Sequence, residues 1–153
     1  MLAVTATAAI AGTKFDIYSN ARYGYAISYP PALLKALPEP DAGDGRVFEG
    51  INGSAEFRVY AGGTVEGIDD TAEAIAKSAE DECPGHRASY RVIKPKVAAI
   101  SCEAGTTIIY QKTILHDGVA TTLMATYPSS ERAIWNPVVA TMAASMTAGH
   151  YLN

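Results

Sequence analysis

Clusters of positive charge are what this sequence most plainly lacks. Its 12 lysines and arginines are outnumbered by 16 aspartates and glutamates, for a formal net charge of -4. They are scattered, as Lys14, Arg22, Lys35, Arg46 and Arg58 onward, rather than drawn into a stripe. A nucleic-acid partner needs such a stripe to displace counterions from phosphates, so no nucleic acid is expected. Long apolar runs are missing too. The N-terminal stretch MLAVTATAAIAG falls well short of the roughly 20 apolar residues that a membrane-spanning helix requires, so no transmembrane segment is expected. Cysteine is scarce: 2 in the whole chain rule out a scaffold built on many disulfides and a zinc site of four thiolates. Internal repeats and low-complexity segments are absent as well.

What is present is alternation. A chain of 153 residues, 48% hydrophobic, can bury one sizeable core but not two comfortable ones. Residues 15–148 are therefore expected to form a single domain, followed by a tail over 149–153. Residues 1–14 carry Ala9-Ile10-Ala11, a small-residue tripeptide of the kind found at signal cleavage sites, though no basic residue precedes it. The segment reads as the remnant of an export signal, with an ordinary first strand as the alternative, and the protein as periplasmic or otherwise exported.

Period-2 patterns mark KFDIYS and YGYAISYP as two short strands. GRVFEG and AEFRVYAG flank Asn52-Gly53, which supplies the positive φ angles of a tight hairpin. The register then changes. Ile68, Ala72, Ile75, Ala76 and Ala79 share one face at helical spacing, so the pattern predicts a helix over residues 69–82 with Asp70 as N-cap. ASYRVIK, KVAAISCE, TTIIYQKTIL and VATTLMATYP follow as long central strands, the last two joined at Asp117-Gly118. A second helix is predicted to start with Asn136 as N-cap and Pro137 in its first position, to bury Val138, Val139, Met142, Ala143 and Met146, and to end at Gly149. Two helices far apart among three groups of strands indicate an α+β fold, a central antiparallel β-sheet covered by helices.

The candidate chemistry is sparse. In PEPDAGDGRVFEG, Asp41 and Asp44 lack the alternating oxygen ligands and closing glutamate of a calcium loop, and the glycines lack the spacing of a phosphate loop. The stretch reads instead as a bend, with Gly43 and Gly45 at positive φ and an aspartate capping backbone N–H groups. Cys83 and Cys102 suit a single disulfide joining the end of the first helix to the following sheet, a closure whose chain entropy corresponds to about 3 kcal/mol. Two free structural thiols, a nucleophilic cysteine served by His86, and a metal pair on Cys83-x-x-His86 are the alternatives; the last two lack an orienting group and further ligands. His86, His116 and His150 fall in or beside turns and a tail, and no G-x-S-x-G elbow occurs. No metal and no organic cofactor is expected. Nine tyrosines are the stronger clue, mostly as core-edge residues, with an exposed subset suited to a protein-binding face.

In order along the chain, NARYGYAISYP, PEPDAGDGRVFEG, TTIIYQKTILHDGVATTLMATYP and NPVVATMAASM resemble the small exported bacterial domains of the PsbP/Mog1-like group, over about residues 15 to 147. The resemblance implies an α-β sandwich, a central antiparallel sheet between helices, in which residues 43–46 bend into a strand. Members of that group are accessory and binding proteins: one kind assists photosystem II, another engages a small GTPase. The expectation is therefore a non-enzymatic binding or accessory domain, with an inhibitor or immunity-type protein as one form of it, acting on an unidentified protein partner. Its expected contact residues are Tyr23, Asp41, Asp44 and Arg46, on loops held by a rigid sheet. The alternative is a small hydrolase or ligand-binding enzyme using Cys83, His86 and Cys102.

Overall fold

A computed structural model describes residues 12–152 of the chain. The stretch on which the export reading rests lies almost wholly outside them. Among the described residues there are nine strands and two α-helices: β1 (Asp16–Ser19), β2 (Ala26–Tyr29), β3 (Leu34–Ala36), β4 (Gly45–Gly50), β5 (Glu56–Gly63), α1 (Ala72–Asp81), β6 (Tyr90–Lys94), β7 (Val97–Ala104), β8 (Thr107–His116), β9 (Val119–Pro128) and α2 (Arg132–Ser145). β1 and β2 pair as a separate hairpin, and the other seven strands form one sheet in the order β3-β4-β5-β9-β8-β7-β6, antiparallel throughout. The architecture is α+β and dominated by the sheet.

The turns behave as their residues dictate. His116 pairs with Val119 across Asp117 and Gly118, whose φ angles of 47° and 76° are those of a two-residue hairpin loop matched to strand twist. Between β4 and β5, Gly53 takes φ 77°. Of the four strands expected to be central, β8 and β9 are, whereas β6 is an edge strand of 5 residues.

Both helices depart from their expected ends. α1 starts later, because Thr71 rather than Asp70 is the N-cap: its hydroxyl accepts from the Ala74 N–H at 3.1 Å. Asp70 and Asp69 instead accept from Gly67 N and Val65 N, closing the preceding loop and leaving Ile68 69% exposed. α2 starts earlier, so Asn136 is no cap and Pro137 lies inside the helix. Burial explains the inversion. Trp135 is 2% exposed, its ring 5.6 Å from that of Phe57, and its indole N–H donates to Glu131 Oε1 at 3.0 Å. Burying an indole outweighs the single backbone bond that Pro137, the sixth residue of the helix, cannot donate. Asn136 accepts from the Tyr127 hydroxyl at 2.6 Å instead. The helix stops at Ser145 with Met146 extended, short of Gly149.

The two sides of the sheet are covered unequally. Val119, Leu123, Ala125 and Tyr127 of β9 point into the main core, under Trp135, Val138 and Met142 of α2 and Tyr25 and Ile27 of the β1–β2 hairpin. On the opposite side α1 covers only the β6–β7 end, where Ala72 and Ala76 meet Ala98, Ile100 and the Cys83–Cys102 disulfide. Among the described residues no helix lies above the outward residues of β5 and β9 on that side.

Candidate functional site

The expected contact loops do meet, and they do so as structure. Asn20, 2% exposed, donates from Nδ2 to the Gly43 carbonyl and to the Tyr18 hydroxyl, both at 2.9 Å, and accepts the Tyr23 N–H at 2.7 Å. Arg22 Nη1 donates to the Ala42 carbonyl at 2.7 Å, and the Tyr25 hydroxyl to that of Asp44 at 2.9 Å. Burial, reinforced by the neighbouring Tyr18, pushes the Tyr25 phenol well above its ordinary range. Residues 20–25 and 42–44 are thus knitted together through backbone carbonyls, not through capping by Asp41 or Asp44 side chains. Gly43 has the positive φ expected of it; Gly45 does not. Gly45 is glycine because a Cβ there would stand 2.1 Å from the Val59 carbonyl oxygen of the paired strand.

The four candidate residues are placed very differently. Tyr23 is 7% exposed, beneath the Arg22 guanidinium and beside the Tyr151 ring. Arg46 donates from Nε to the Leu37 carbonyl at 2.7 Å and lies over the Tyr18 ring. Asp41 is fully at the surface of the bend, and Asp44 is half-buried at its end. The residues of the tail pack back on this region: His150 N donates to the Tyr23 carbonyl at 2.9 Å, and Gly149 N to Thr121 Oγ1 at 2.9 Å.

Asp44 has a second neighbourhood. It stands at one end of a trough of about 570 Å³ between α1 and the uncovered side of β5 and β9. Tyr60, Thr122, Met124 and Gln111 make the floor; Ile75, Ser78 and Ala79 of α1 make one wall; Ile68 and Asp69 overhang from the loop before α1. Thr113 and Thr122 hydrogen-bond to each other at 2.9 Å in that floor, so no buried hydroxyl is left reaching for a partner. Desolvation raises the Tyr60 phenol, opposed by a hydrogen bond to Thr122. The charged groups lining the trough are Asp44, Asp69 and Glu82, all acidic. The sequence holds a signal for this surface in hindsight: Arg58, Tyr60, Thr122 and Thr126 are polar or amphipathic on the outward side of two central strands, which marks a side left open.

The enzymatic alternative has little to work with here. Cys83 and Cys102 are bonded to each other, with Cα atoms 5.8 Å apart, so neither is a nucleophilic thiolate in this state. His86 Nδ1 contacts the Asp81 carbonyl at 2.8 Å. Among the described residues no three His, Cys, Asp or Glu side chains converge as a metal site, and no helix is long and apolar enough to cross a membrane.

No family model matches the chain, and no curated protein does. Solved structures do. The solution structure of cyanobacterial PsbP (CyanoP) from Synechocystis superposes with a TM-score of 0.60 over 89% of this chain and 93% of that one, at 12% identity. The chain has a PsbP-like fold. A crystal structure from Bacteroides thetaiotaomicron is similar at a TM-score of 0.55 and 14% identity, over 89% of this chain but 48% of the other. In this PsbP-like domain the two described helices lie on opposite sides of the sheet, as that resemblance implied.

Proposed function

We propose that this PsbP-like domain is an exported, non-enzymatic binding or accessory module whose partner is a protein, engaged at the trough between α1 and the sheet. The observation that carries the reading is the composition of that trough: an apolar and hydroxyl-bearing floor, Ile68 69% exposed at its lip, and carboxylates as its charged lining. Such a surface suits a segment that is apolar with flanking cations, and the net charge of -4 would speed its approach. Asp44 lines the trough at the end of the bend, with Asp41 beyond it at the surface, so these two are the outer contacts, while Asn20, Arg22 and Tyr25 hold the bend in place and Tyr23 and Arg46 pack behind it. The Cys83–Cys102 disulfide supports export, since such bridges persist in oxidising compartments. An inhibitor or immunity role is one form this binding takes if the partner is an enzyme.

The test is affinity capture from the native envelope fraction, comparing the wild type with Asp41→Ala, Asp44→Ala and Glu82→Lys. Loss of the same captured protein with the Asp44 and Glu82 variants, at unchanged melting temperature, is the expected result. Undiminished capture by both would remove the trough from consideration.

A further inference from the structure

The other side of the sheet carries a second concavity, about 470 Å³, lined among others by Tyr90, Ser101, Tyr110, Lys112, Asn136 and Ala143. Its shape follows from strand register. Tyr90 pairs with Ser101 and Ser101 with Tyr110, so two tyrosines stand on either side of one small residue in a single cross-strand row. The next row is Val92, Ala99 and Lys112. In these two rows the β7 residue is small, Ser101 or Ala99, while β6 and β8 rise on each flank. Strands two apart are separated by about 9.6 Å, and a flat ring stacked between two others needs about 7 Å, so the slot over Ser101 admits one planar group.

Charge gives the slot a direction. Lys112 is two residues along β8 from Tyr110, on the same side and about 6.7 Å away. Its ammonium is half-buried, donates to the Ala143 carbonyl at 2.8 Å, and is paired with no carboxylate among the described residues. A lysine has three donors, so two point at the cavity or at solvent. Desolvation, with Lys94 nearby, lowers its pKa, the condition an anion would relieve. At the opposite end Glu103 is already held by Arg132 at 3.0 Å.

We propose that this slot binds a small aromatic carboxylate, its ring between Tyr90 and Tyr110 above Ser101 and its carboxylate on the Lys112 ammonium. The site lies on the opposite side of the sheet from the acidic trough and is independent of it. Its ligand is anionic where that of the trough is cationic.

The experiment is a titration of the full, ¹⁵N-labelled chain with sodium benzoate, followed by amide shifts. Benzyl alcohol serves as the uncharged counterpart. N-acetylphenylalanine asks whether the carboxylate can come from a peptide C-terminus rather than a free acid, and binding of either acid supports the site. Saturable shifts at Ser101, Lys112 and Ala143 are expected. Benzyl alcohol and the Lys112→Met variant should each weaken binding about tenfold, and Ser101→Leu should fill the slot and abolish it. Absence of saturation by about 10 mM with both acids, or shifts unchanged in both variants, overturns the proposal. Should Lys112→Met fail to fold, Ser101→Leu and the alcohol decide the same question.

Discussion

Removing the Cys83–Cys102 bridge, by the double change Cys83→Ala and Cys102→Ala or by reduction, should unfasten α1 from the sheet. The two cysteines are 19 positions apart, and the chain-entropy relation for a loop of that length gives about 3 kcal/mol of stabilisation. The rest of the attachment is thin: the fully buried contributions of the helix are Ala72 and Ala76, small side chains that offer little apolar area. For a domain of this size each kcal/mol corresponds to about 3 °C in melting temperature, so a loss of about 10 °C is expected by calorimetry. The loss should also be local. Amide exchange ought to rise across 72–81 and the β6 edge, while β5, β9 and β8 keep their protection, because the main core under α2 does not touch the bridge. A drop below about 2 °C, uniform exchange over the whole sheet, or two alkylatable thiols in unreduced protein would refute this reasoning.

Other perturbations are equally specific. Trp135→Ala empties the centre of the main core and strips Glu131 of its indole donor; urea unfolding should show a loss of about 3–5 kcal/mol, enough to leave little folded protein. Gly149→Ala places a Cβ 2.7 Å from Thr121 Oγ1 and 3.5 Å from Tyr23 Cβ, so it should cost about 1–3 kcal/mol although it lies beyond the last helix. At alkaline pH the phenol of Tyr110, pushed by burial from 10.0 up to about 12, stays protonated after the unfolded chain has ionised. Its contribution is complete below pH 10 and falls away as the pH rises to about 12, so the stability of Tyr110→Phe should decline less steeply over that window than that of the wild type.

Much of the fold was legible because its signals are local. Asp117-Gly118 between alternating runs fixes β8 and β9, and the apolar stripe of Ala72, Ile75, Ala76 and Ala79 fixes α1 to within a few residues. The errors arose where a distant contact outweighs a local preference. Asn136-Pro137 is a good helix start in isolation, but Phe57 and Glu131 hold Trp135, the residue just before it, and the helix begins one turn upstream at Arg132; no local pattern at Pro137 announces the contact with Phe57. β3, with 3 residues, exists because Leu34 and Ala36 pair with Gly50 and Phe48, which no periodicity over so short a span can reveal. The trough was illegible for the same reason: its floor joins Tyr60 to Thr122 across paired strands, and its openness depends on which end of the sheet α1 covers. Tyr23 illustrates the limit from the other direction, since a tyrosine on a glycine-rich turn reads as surface until the tail residues 149–152 are seen packed on it.

The central claim is that a protein partner occupies the trough beside α1, and one substitution addresses it most directly. Ser78 is an exposed helix residue on the wall of the trough, so Ser78→Arg adds bulk and positive charge there without entering the core. Binding of the captured partner would be measured calorimetrically for the wild type, for Ser78→Arg and for Ile17→Arg, a control at a position 69% exposed on the hairpin. The account predicts at least about a tenfold loss of affinity for Ser78→Arg and none for Ile17→Arg. Equal affinities for all three proteins would contradict it.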